Sequence, residues 1–327
     1  MKILVTGATG FIGSHLVGLL LSKGHQVRCL VRKSSNLVWL KDLSVEYVYG
    51  DMFDDAALRQ AVAGVHYVYH SAGLTKAKTQ EEYYQANSEG TRRLLQATAE
   101  VAPGLQRFLH VSSQAAAGPS PTRMPIDEAV DPHPITTYGR SKFQSELECR
   151  AFDGKVKYTI CRPPVVYGPR DKDVFEFFHT MSRGLQPMVG MQDTYVSLIH
   201  VRDLVRGLVM AAESERSIGQ TYFISSTGVY SWKELGNITR EALGKSALRL
   251  RIPVFGIYTV SAVAEVLARF STKPALLNLE KARDMVQRYW TCDAAKAKKD
   301  FGFEQEISLP DGVIDTVRWY RANGWLK

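Results

Sequence analysis

The glycine-rich opening of the chain constrains its fold more than any other stretch. Residues 1–14 read MKILVTGATGFIGS, in which an apolar run from Lys2 to Thr6 precedes Gly7, Gly10 and Gly13. The order predicts a buried strand, a tight turn at Gly7 and a helix that packs closely on the strand at Gly13. Gly10 would let backbone approach a pyrophosphate, with the helix N-terminus facing it. The motif predicts dinucleotide binding; the alternative is a glycine-rich turn of any parallel sheet.

Strand and helix signals alternate along the first half of the chain. Further runs read as strands: Gln26–Val31, Val45–Tyr49, Val65–Tyr69, Arg107–Val111 and Lys157–Cys161. This alternation predicts an α/β fold with a doubly wound parallel sheet. We expect residues 1–168 to form the dinucleotide-binding domain. Residues 169–327 would form mainly the substrate-binding domain, with segments near 195–225 returning to the first.

The amino-acid composition limits the kinds of ligand and partner that we expect the chain to bind. The 41 basic and 33 acidic residues give a net charge of +8, which favours anionic small ligands. The late cluster of Lys296, Lys298 and Lys299 is typical of a solvated helix face, so no nucleic-acid partner is predicted. The four cysteines lack any CxxC or metal-ligand spacing, which predicts reduced thiols and no metal site. An opening strand rather than a signal peptide makes the cytoplasm the expected location.

The end of the second predicted strand indicates which dinucleotide is bound. An acidic residue here accepts from the free 2′-hydroxyl of NAD, whereas basic residues neutralise the 2′-phosphate of NADP. This chain has Arg32 and Lys33 and no carboxylate at that place. The prediction is therefore NADP, with NAD as the alternative if both residues are ordinary surface charges.

Later strand ends supply further candidate contacts. Asp51 could accept from the adenine amino group while Met52 packs on the ring; Asp51 could instead cap a helix at Asp54–Val62. His70 reads as a structural histidine, and Asn87 could anchor a water or loop backbone or simply pack between helices. The predicted cofactor contacts are Gly7, Thr9, Gly10, Phe11, Ile12, Gly13, Arg32, Lys33, Asp51, Met52, Ser71, Ala72, Gly73, Asn87, Tyr138, Lys142, Pro163, Val165 and Val166.

Three residues could carry chemistry. Tyr138 and Lys142 lie four apart on one predicted helix and so share a face. A nearby ammonium and an oxidised nicotinamide would lower the pKa of the Tyr138 phenol, by roughly 1 to 3 pH units for one close charge. Tyr138 would then act as general acid or base, Ser113 would hold the same substrate oxygen, and Lys142 would also bind the nicotinamide ribose. A lone pair of this spacing is also common on surface helices.

The stretch 252–270 is mostly apolar but is short for a bilayer span. We expect a buried or substrate-lining helix here. A helix lying in a membrane interface is the alternative.

Taken together, the motifs resemble the extended short-chain dehydrogenase/reductase family, also called the NAD-dependent epimerase/dehydratase family. They are TGATGFIGSHL at 6–16, GDMFD at 50–54, HSAG at 70–73, NSEGT at 87–91, VSSQAAAG at 111–118, YGRSK at 138–142, RPPVVYGP at 162–169 and IHVRDL at 199–204. The resemblance implies a Rossmann-type domain with a smaller C-terminal α/β substrate domain. It also implies a catalytic set of Ser113, Tyr138 and Lys142, and a homodimer formed through the helices that bear Asn87 and Tyr138.

Departures from the family pattern narrow the reaction. Sugar dehydratases of this family place Asp-Glu after the catalytic Ser or Thr, whereas this chain has Gln114 and Ala115, which cannot act as acid or base. The diphosphate-binding Arg of many epimerases is missing from residues 195–199. The chain looks more like dihydroflavonol-reductase-like and 3β-hydroxysteroid-dehydrogenase-like members. We therefore expect a hydride exchange with a small-molecule ketone or secondary alcohol; a nucleotide-sugar epimerase with tightly bound NAD and a non-catalytic cofactor sensor or scaffold are the alternatives.

Overall fold

The computed structural model describes residues 1–268 and 278–327. The strands are β1 (Lys2–Thr6), β2 (Gln26–Val31), β3 (Glu46–Tyr49), β4 (Tyr67–His70), β5 (Arg107–Val111), β6 (Tyr158–Arg162), β7 (Val165–Tyr167), β8 (Leu185–Val189), β9 (Tyr195–His200), β10 (Gln220–Phe223), β11 (Val229–Ser231), β12 (Leu248–Ile252) and β13 (Tyr289–Trp290).

The helices are α1 (Phe11–Ser22), α2 (Asp55–Val62), α3 (Gln80–Tyr84), α4 (Gly90–Val101), α5 (Gln114–Ala117), α6 (Thr137–Ala151), α7 (Phe175–Ser182), α8 (Val201–Glu213), α9 (Trp232–Leu243), α10 (Val254–Ala268), α11 (Leu279–Met285), α12 (Ala295–Phe301) and α13 (Leu309–Ala322). A π-helical turn, Gln85–Glu89, joins α3 to α4.

Seven parallel strands form the central sheet, in the order β3-β2-β1-β4-β5-β6-β10. The predicted doubly wound parallel sheet is confirmed. The side of the sheet to which successive strands are added changes between β1 and β4. From β1 to β3 the sheet grows to one side, and from β4 onwards it grows to the other. In such sheets the crevice at the carboxyl ends of the strands, beside this switch point, is where ligands bind.

Alternate side chains of β1 enter two separate cores. Ile3 and Val5 pack with the apolar faces of α1 and α8, whereas Leu4 packs with α2 and α4. A strand covered on both faces needs apolar residues at every position, which is why Lys2–Thr6 reads as a continuous apolar run. This packing holds the glycine turn after β1 in place at the carboxyl end of the central sheet.

The second half of the chain forms smaller sheets. β9 pairs with β7, β11 and β13, and β8 pairs with β12. Of the two strands expected to return near 195–225, only β10 joins the large sheet, beside β6, because β9 finds its partners in the smaller sheet. Aromatic side chains of α7 and α13, among them Phe178 and Tyr320, form the core here.

The apolar stretch 252–270 is not the buried helix that we expected. α10 exposes Phe255, Val260, Val263, Val266 and Leu267, while Ile257 is buried. The expectation of burial was wrong because the stretch is apolar on every side, so its sequence does not show which face packs inward. A substrate-lining role of this helix stays a prediction. Residues 269 and 270 lie outside the described residues. Within 1–268 and 278–327 no helix is long and apolar enough to cross a bilayer.

Candidate active site

The glycine turn is built from backbone in close contact. Gly7 has a φ of +70°, and a Cβ on it would lie 2.6 Å from the carbonyl carbon of Ser71. A Cβ on Gly13 would lie 2.2 Å from the Gly7 oxygen. Both positions therefore require glycine. Gly10 precedes the first turn of α1 and offers it no side-chain hydrogen bond. This backbone-lined turn at a helix N-terminus fits a dinucleotide pyrophosphate.

His70 links β1 to α4 through two buried threonines. Its Nδ1 lies 2.7 Å from Thr6 Oγ1, and its Nε2 lies 2.8 Å from Thr91 Oγ1. Burial, followed by the nearby Lys142 charge, lowers the pKa of His70 to about 3, so the imidazole is neutral at pH 7. Thr91 donates to the carbonyl of Asn87, which leaves its oxygen to accept from Nε2–H. His70 therefore has the structural role that we expected.

Asn87 holds the loop after β4. Its Oδ1 accepts from the backbone N–H of Leu74 at 2.7 Å, and its Nδ2 donates to the Leu74 carbonyl at 3.0 Å. The same Nδ2 donates to Ser141 Oγ on α6 at 2.9 Å. A Cβ on Gly73 would lie 2.8 Å from Asn87 Oδ1. Asn87 thus fixes residues 71–74, which border the glycine turn, against the helix that carries Tyr138.

Arg32 and Lys33 follow β2 directly and are both exposed. Within the described part of the chain, neither makes an ion pair. The two side chains lie at the carboxyl edge of the sheet, one strand from the glycine turn.

After β3, the residue that caps the following helix is not the one considered in the sequence analysis. Asp54, not Asp51, caps α2 by accepting from the Ala57 N–H at 3.0 Å. Asp51 is exposed and accepts from the N–H of Phe53 at 2.8 Å. Met52 lies against the start of α4, where a Cβ on Gly90 would be 3.1 Å from the Met52 Cβ.

Ser113 and Tyr138 meet beyond the carboxyl end of β5. Ser113 caps α5 by accepting from the Ala115 N–H at 3.1 Å. Burial raises the pKa of Tyr138 to about 12, and a side-chain hydrogen bond with Ser113 opposes the rise. The Tyr83 ring lies 6.2 Å from the Tyr138 ring. The structure thus brings together the serine and the tyrosine that the sequence places 25 residues apart.

Lys142 is buried one helical turn beyond Tyr138. Its Nζ donates to the carbonyl oxygen of Val111 at 2.9 Å and lies 3.4 Å from His110 Nε2. Burial lowers the pKa of Lys142 to about 8, and the Glu146 carboxylate opposes this. The ammonium therefore stands at the end of β5, two residues before Ser113.

The expected lowering of the Tyr138 pKa is not what the residues of the chain produce. We predicted that the Lys142 ammonium would favour the phenolate. In the structure burial dominates and raises the pKa, with the neighbouring Tyr83, Asp173 and Asp284 adding to the rise. Lys142 directs its hydrogen bond to backbone instead.

A buried ion pair supports this strand end, and the sequence analysis missed it. Glu146 on α6 accepts from Arg162 at 2.8 and 2.7 Å and from Ser112 Oγ at 2.6 Å. The Gln114 N–H donates to the carbonyl of Pro163 at 2.8 Å. The i, i+4 spacing of Lys142 and Glu146 was the available signal, since it places both on the face that covers β5 and β6.

Glu280 was also missed, since it is 143 residues from its partner. It accepts from the Thr137 N–H at 3.0 Å and from Thr137 Oγ1 at 2.7 Å, and it pairs with Arg140. A carboxylate at the start of α6 complements the helix dipole. Helix α11 is thereby fastened to the residue that precedes Tyr138.

Comparison with known proteins places the chain in a family. The model of the NAD dependent epimerase/dehydratase family matches residues 3–233. The chain belongs to this family. The relatives of this chain that belong to the family are NAD-dependent dehydrogenases, reductases and epimerases of the extended short-chain type. The chain is therefore an enzyme of that type.

Two relatives cover nearly the whole chain. Ceramide reductase of Caulobacter vibrioides is 33% identical over 324 residues, spanning 98% of this chain and 95% of the relative. Sterol demethylase protein B of Methylococcus capsulatus is 29% identical over 347 residues and spans both proteins fully.

Solved structures agree on the fold. The crystal structure of gox2253 is 28% identical, with a TM-score of 0.84 and coverage of 100% of this chain and 99% of the other. UDP-glucose 4-epimerase of Thermotoga maritima, solved with UDP-glucose, is 25% identical, with a TM-score of 0.81 and 99% coverage of both chains.

Proposed function

We propose that the chain is an NADP-dependent oxidoreductase that exchanges a hydride with a ketone or secondary alcohol. One observation carries the proposal: Ser113, Tyr138 and Lys142 converge at the carboxyl end of β5, on the sheet edge that bears the glycine turn. A phenol, a hydroxyl and an ammonium around one point suit proton transfer to a carbonyl oxygen.

The residues that would hold the cofactor are the glycine turn, the loop fixed by Asn87, and the basic pair Arg32 and Lys33. The basic pair supports NADP over NAD, since no carboxylate stands at the end of β2. When bound, the nicotinamide supplies or accepts the hydride. The other cofactor contacts predicted from the sequence, of which Thr9 is the first and Val166 the last, are part of the same proposal.

Tyr138 would hold the proton that the substrate oxygen gains or loses. Its raised pKa keeps the phenol protonated at neutral pH, which suits donation to a ketone oxygen during reduction. Ser113 would orient the same oxygen through its hydroxyl. Lys142 would bind the ribose through its ammonium, which the Val111 carbonyl anchors.

Nucleotide-sugar epimerisation is the second candidate, supported by the structural likeness to UDP-glucose 4-epimerase. Two features of this chain favour the reductase. Residues 195–199 read YVSLI and lack an arginine for a diphosphate, and β2 ends in basic residues instead of an acidic ribose contact. Purified protein that carries tightly bound NAD and binds a UDP-sugar would support epimerisation.

The likeness to ceramide reductase and to sterol demethylase protein B favours a large apolar substrate. We include this in the proposal, together with a homodimer formed through the helices that bear Asn87 and Tyr138. Tyr167, Phe175 and Phe178 give no support to an apolar site, since they pack in the core of the second half.

The test is a substrate panel with a matched pair of variants. Ketones of increasing chain length are assayed with NADPH and NADH, using wild type, Tyr138→Phe and Tyr49→Phe. Tyr49 is an exposed tyrosine on β3, so its variant is the control. Loss of the acid–base group lowers kcat by about 10² to 10⁴-fold. Wild-type turnover by Tyr138→Phe on a substrate that the enzyme reduces would end the assignment.

A further inference from the structure

Helix α10 exposes one broad apolar side. At about 100° per residue, five of its exposed side chains, Phe255, Val260, Val263, Val266 and Leu267, fall within an arc of about 140°, whereas Val254, in the first turn, is exposed outside that arc. Phe255 is 75% exposed and Leu267 is 64% exposed. We call these five residues the α10 face. Its one polar neighbour, Thr259, turns its hydroxyl back to the carbonyl of Phe255 at 2.9 Å.

The opposite side of α10 faces the protein. Ile257 and Ser261 are buried there, and Glu265 accepts from the backbone N–H of Leu279 at 3.0 Å. An ordinary surface helix turns one apolar stripe to the core and polar residues to water. The five exposed apolar side chains of the α10 face instead indicate that an apolar medium, rather than water, covers this face.

The apolar surface continues beyond the helix. Leu248 and Leu250 of β12 are 70% and 50% exposed, and Met191 is also exposed. Leu248 stands beside Leu185 of β8, whose side chain is exposed as well. These residues directly precede α10 or adjoin it, so the exposed apolar area is larger than one helix face.

The surroundings of the α10 face carry positive charge. Within 245–268 and 278–288 there are six exposed basic residues and three acidic ones. Each acid is engaged within the protein, and of the basic residues Arg251 pairs with Asp193 and Lys281 pairs with Asp284. The basic residues are Lys245, Arg249, Arg251, Lys281, Arg283 and Arg288, and the acids are Glu265, Glu280 and Asp284. The acids bind the Leu279 N–H, Thr137 with Arg140, and Lys281, respectively. An apolar face with a cationic border complements a bilayer that contains anionic lipid.

We infer that the α10 face lies in the surface of an anionic membrane. Fifteen residues of helix are about 22 Å long, which is short of the ~30 Å hydrocarbon core, so the helix lies along the interface. A second copy of the chain fits the face less well. Two such faces in a symmetric contact would bring the same cationic borders together, and like charges oppose that association.

The α10 face is close in structure to the proposed reaction centre. Glu265 binds Leu279, the first residue of α11, and the following residue, Glu280, binds Thr137 beside Tyr138. This arrangement suits a lipid-class ketone or alcohol that passes from the bilayer to the cleft. The membrane contact stands on the exposed surface alone; only this substrate class rests on the proposed function.

Vesicle flotation tests the membrane contact without any measurement of turnover. The full chain is mixed with vesicles of phosphatidylcholine alone or with 30 mol% phosphatidylglycerol, on the order used to mimic an anionic leaflet. The variants are Phe255→Glu/Val263→Glu, on the α10 face, and Met124→Glu/Ile314→Glu, which replaces two exposed apolar residues elsewhere. Circular dichroism and a thermal melt show whether each variant folds.

We expect wild type and the Met124/Ile314 variant to float with anionic vesicles, less so as salt is raised, and the Phe255/Val263 variant to bind at least tenfold more weakly. Equal binding by all three folded proteins, or no binding by wild type, overturns the inference. So does light scattering that shows a wild-type dimer which the Phe255/Val263 variant alone dissociates. A water-soluble short ketone is turned over equally by both folded variants, so failure of the proposed function is recognised separately.

Discussion

The Lys142 ammonium donates a 2.9 Å hydrogen bond to the carbonyl oxygen of Val111, the last residue of β5. Ser113 follows two residues later, and Tyr138 is one helical turn back on α6. The bond therefore fixes the distance between the carboxyl end of β5 and the helix that carries Tyr138. It also places a cation in a buried site, which lowers the pKa of Lys142 to about 8.

Lys142→Met keeps the length of the side chain and removes the charge. We expect kcat for ketone reduction to fall at least about 10²-fold, since the nicotinamide ribose loses the ammonium that would hold it in position beside Tyr138. The KM for the cofactor should rise as well, because the ribose loses a donor. Steady-state kinetics measure both, with Lys155→Met, at an exposed lysine, as the control. Unchanged kcat in a folded Lys142→Met protein would contradict the role of Lys142.

Cofactor choice is expected to depend on Arg32 and Lys33. In the Arg32→Ser/Lys33→Ser protein the KM for NADPH should rise at least about tenfold, which corresponds to about 1.4 kcal/mol. The KM for NADH should change by less than about threefold, because NADH has no 2′-phosphate. Lys41→Ser, at an exposed lysine, is the matched control. An equal change for both cofactors would mean that the pair does not contact the 2′-phosphate.

The bounds of a strand could be predicted from the sequence where the strand is buried along its whole length. β1, β2 and β5 begin and end where the apolar runs do, whereas β4 begins two residues later than predicted, at Tyr67. The bond of Glu280 to Thr137 was beyond sequence reasoning, since it joins residues far apart in the chain. The outward face of α10 was equally hidden, because a helix that is apolar all round gives no direction.

Glu280 is expected to position the start of α6, and Glu280→Gln tests this. The amide loses the charge that binds Thr137, Arg140 and the helix dipole. We expect the free energy of unfolding to fall by about 1 kcal/mol. We also expect kcat to fall several-fold with little change in cofactor KM, because Tyr138 directly follows Thr137. Urea unfolding and kinetics measure these, with exposed Glu100→Gln as control. A change in cofactor KM alone would argue against this positioning.

Asp171 is expected to make the stability of the protein depend on pH. Its carboxyl is almost fully buried and accepts from the N–H groups of Asp173 and Val174, each at 2.9 Å. Burial raises the pKa of Asp171 from 3.8 to about 7. The folded protein therefore holds a proton between about pH 4 and 7 that the unfolded chain has released, so this carboxyl lowers stability progressively as pH rises through that range.

Asp171→Asn removes this dependence but leaves one oxygen where the carboxyl presents a separate oxygen to each N–H group, so part of its effect is a loss of stability that does not change with pH. Between pH 5 and pH 8 the stability of the variant relative to wild type should rise by about 3 kcal/mol, since wild type loses about 1.4 kcal/mol for each pH unit between 5 and the Asp171 pKa near 7. Urea unfolding at the two pH values measures the gap, and Asp42→Asn, at an exposed carboxylate, should show none. A gap that stays constant with pH would show that Asp171 is ionised in the folded protein and acts only as an acceptor.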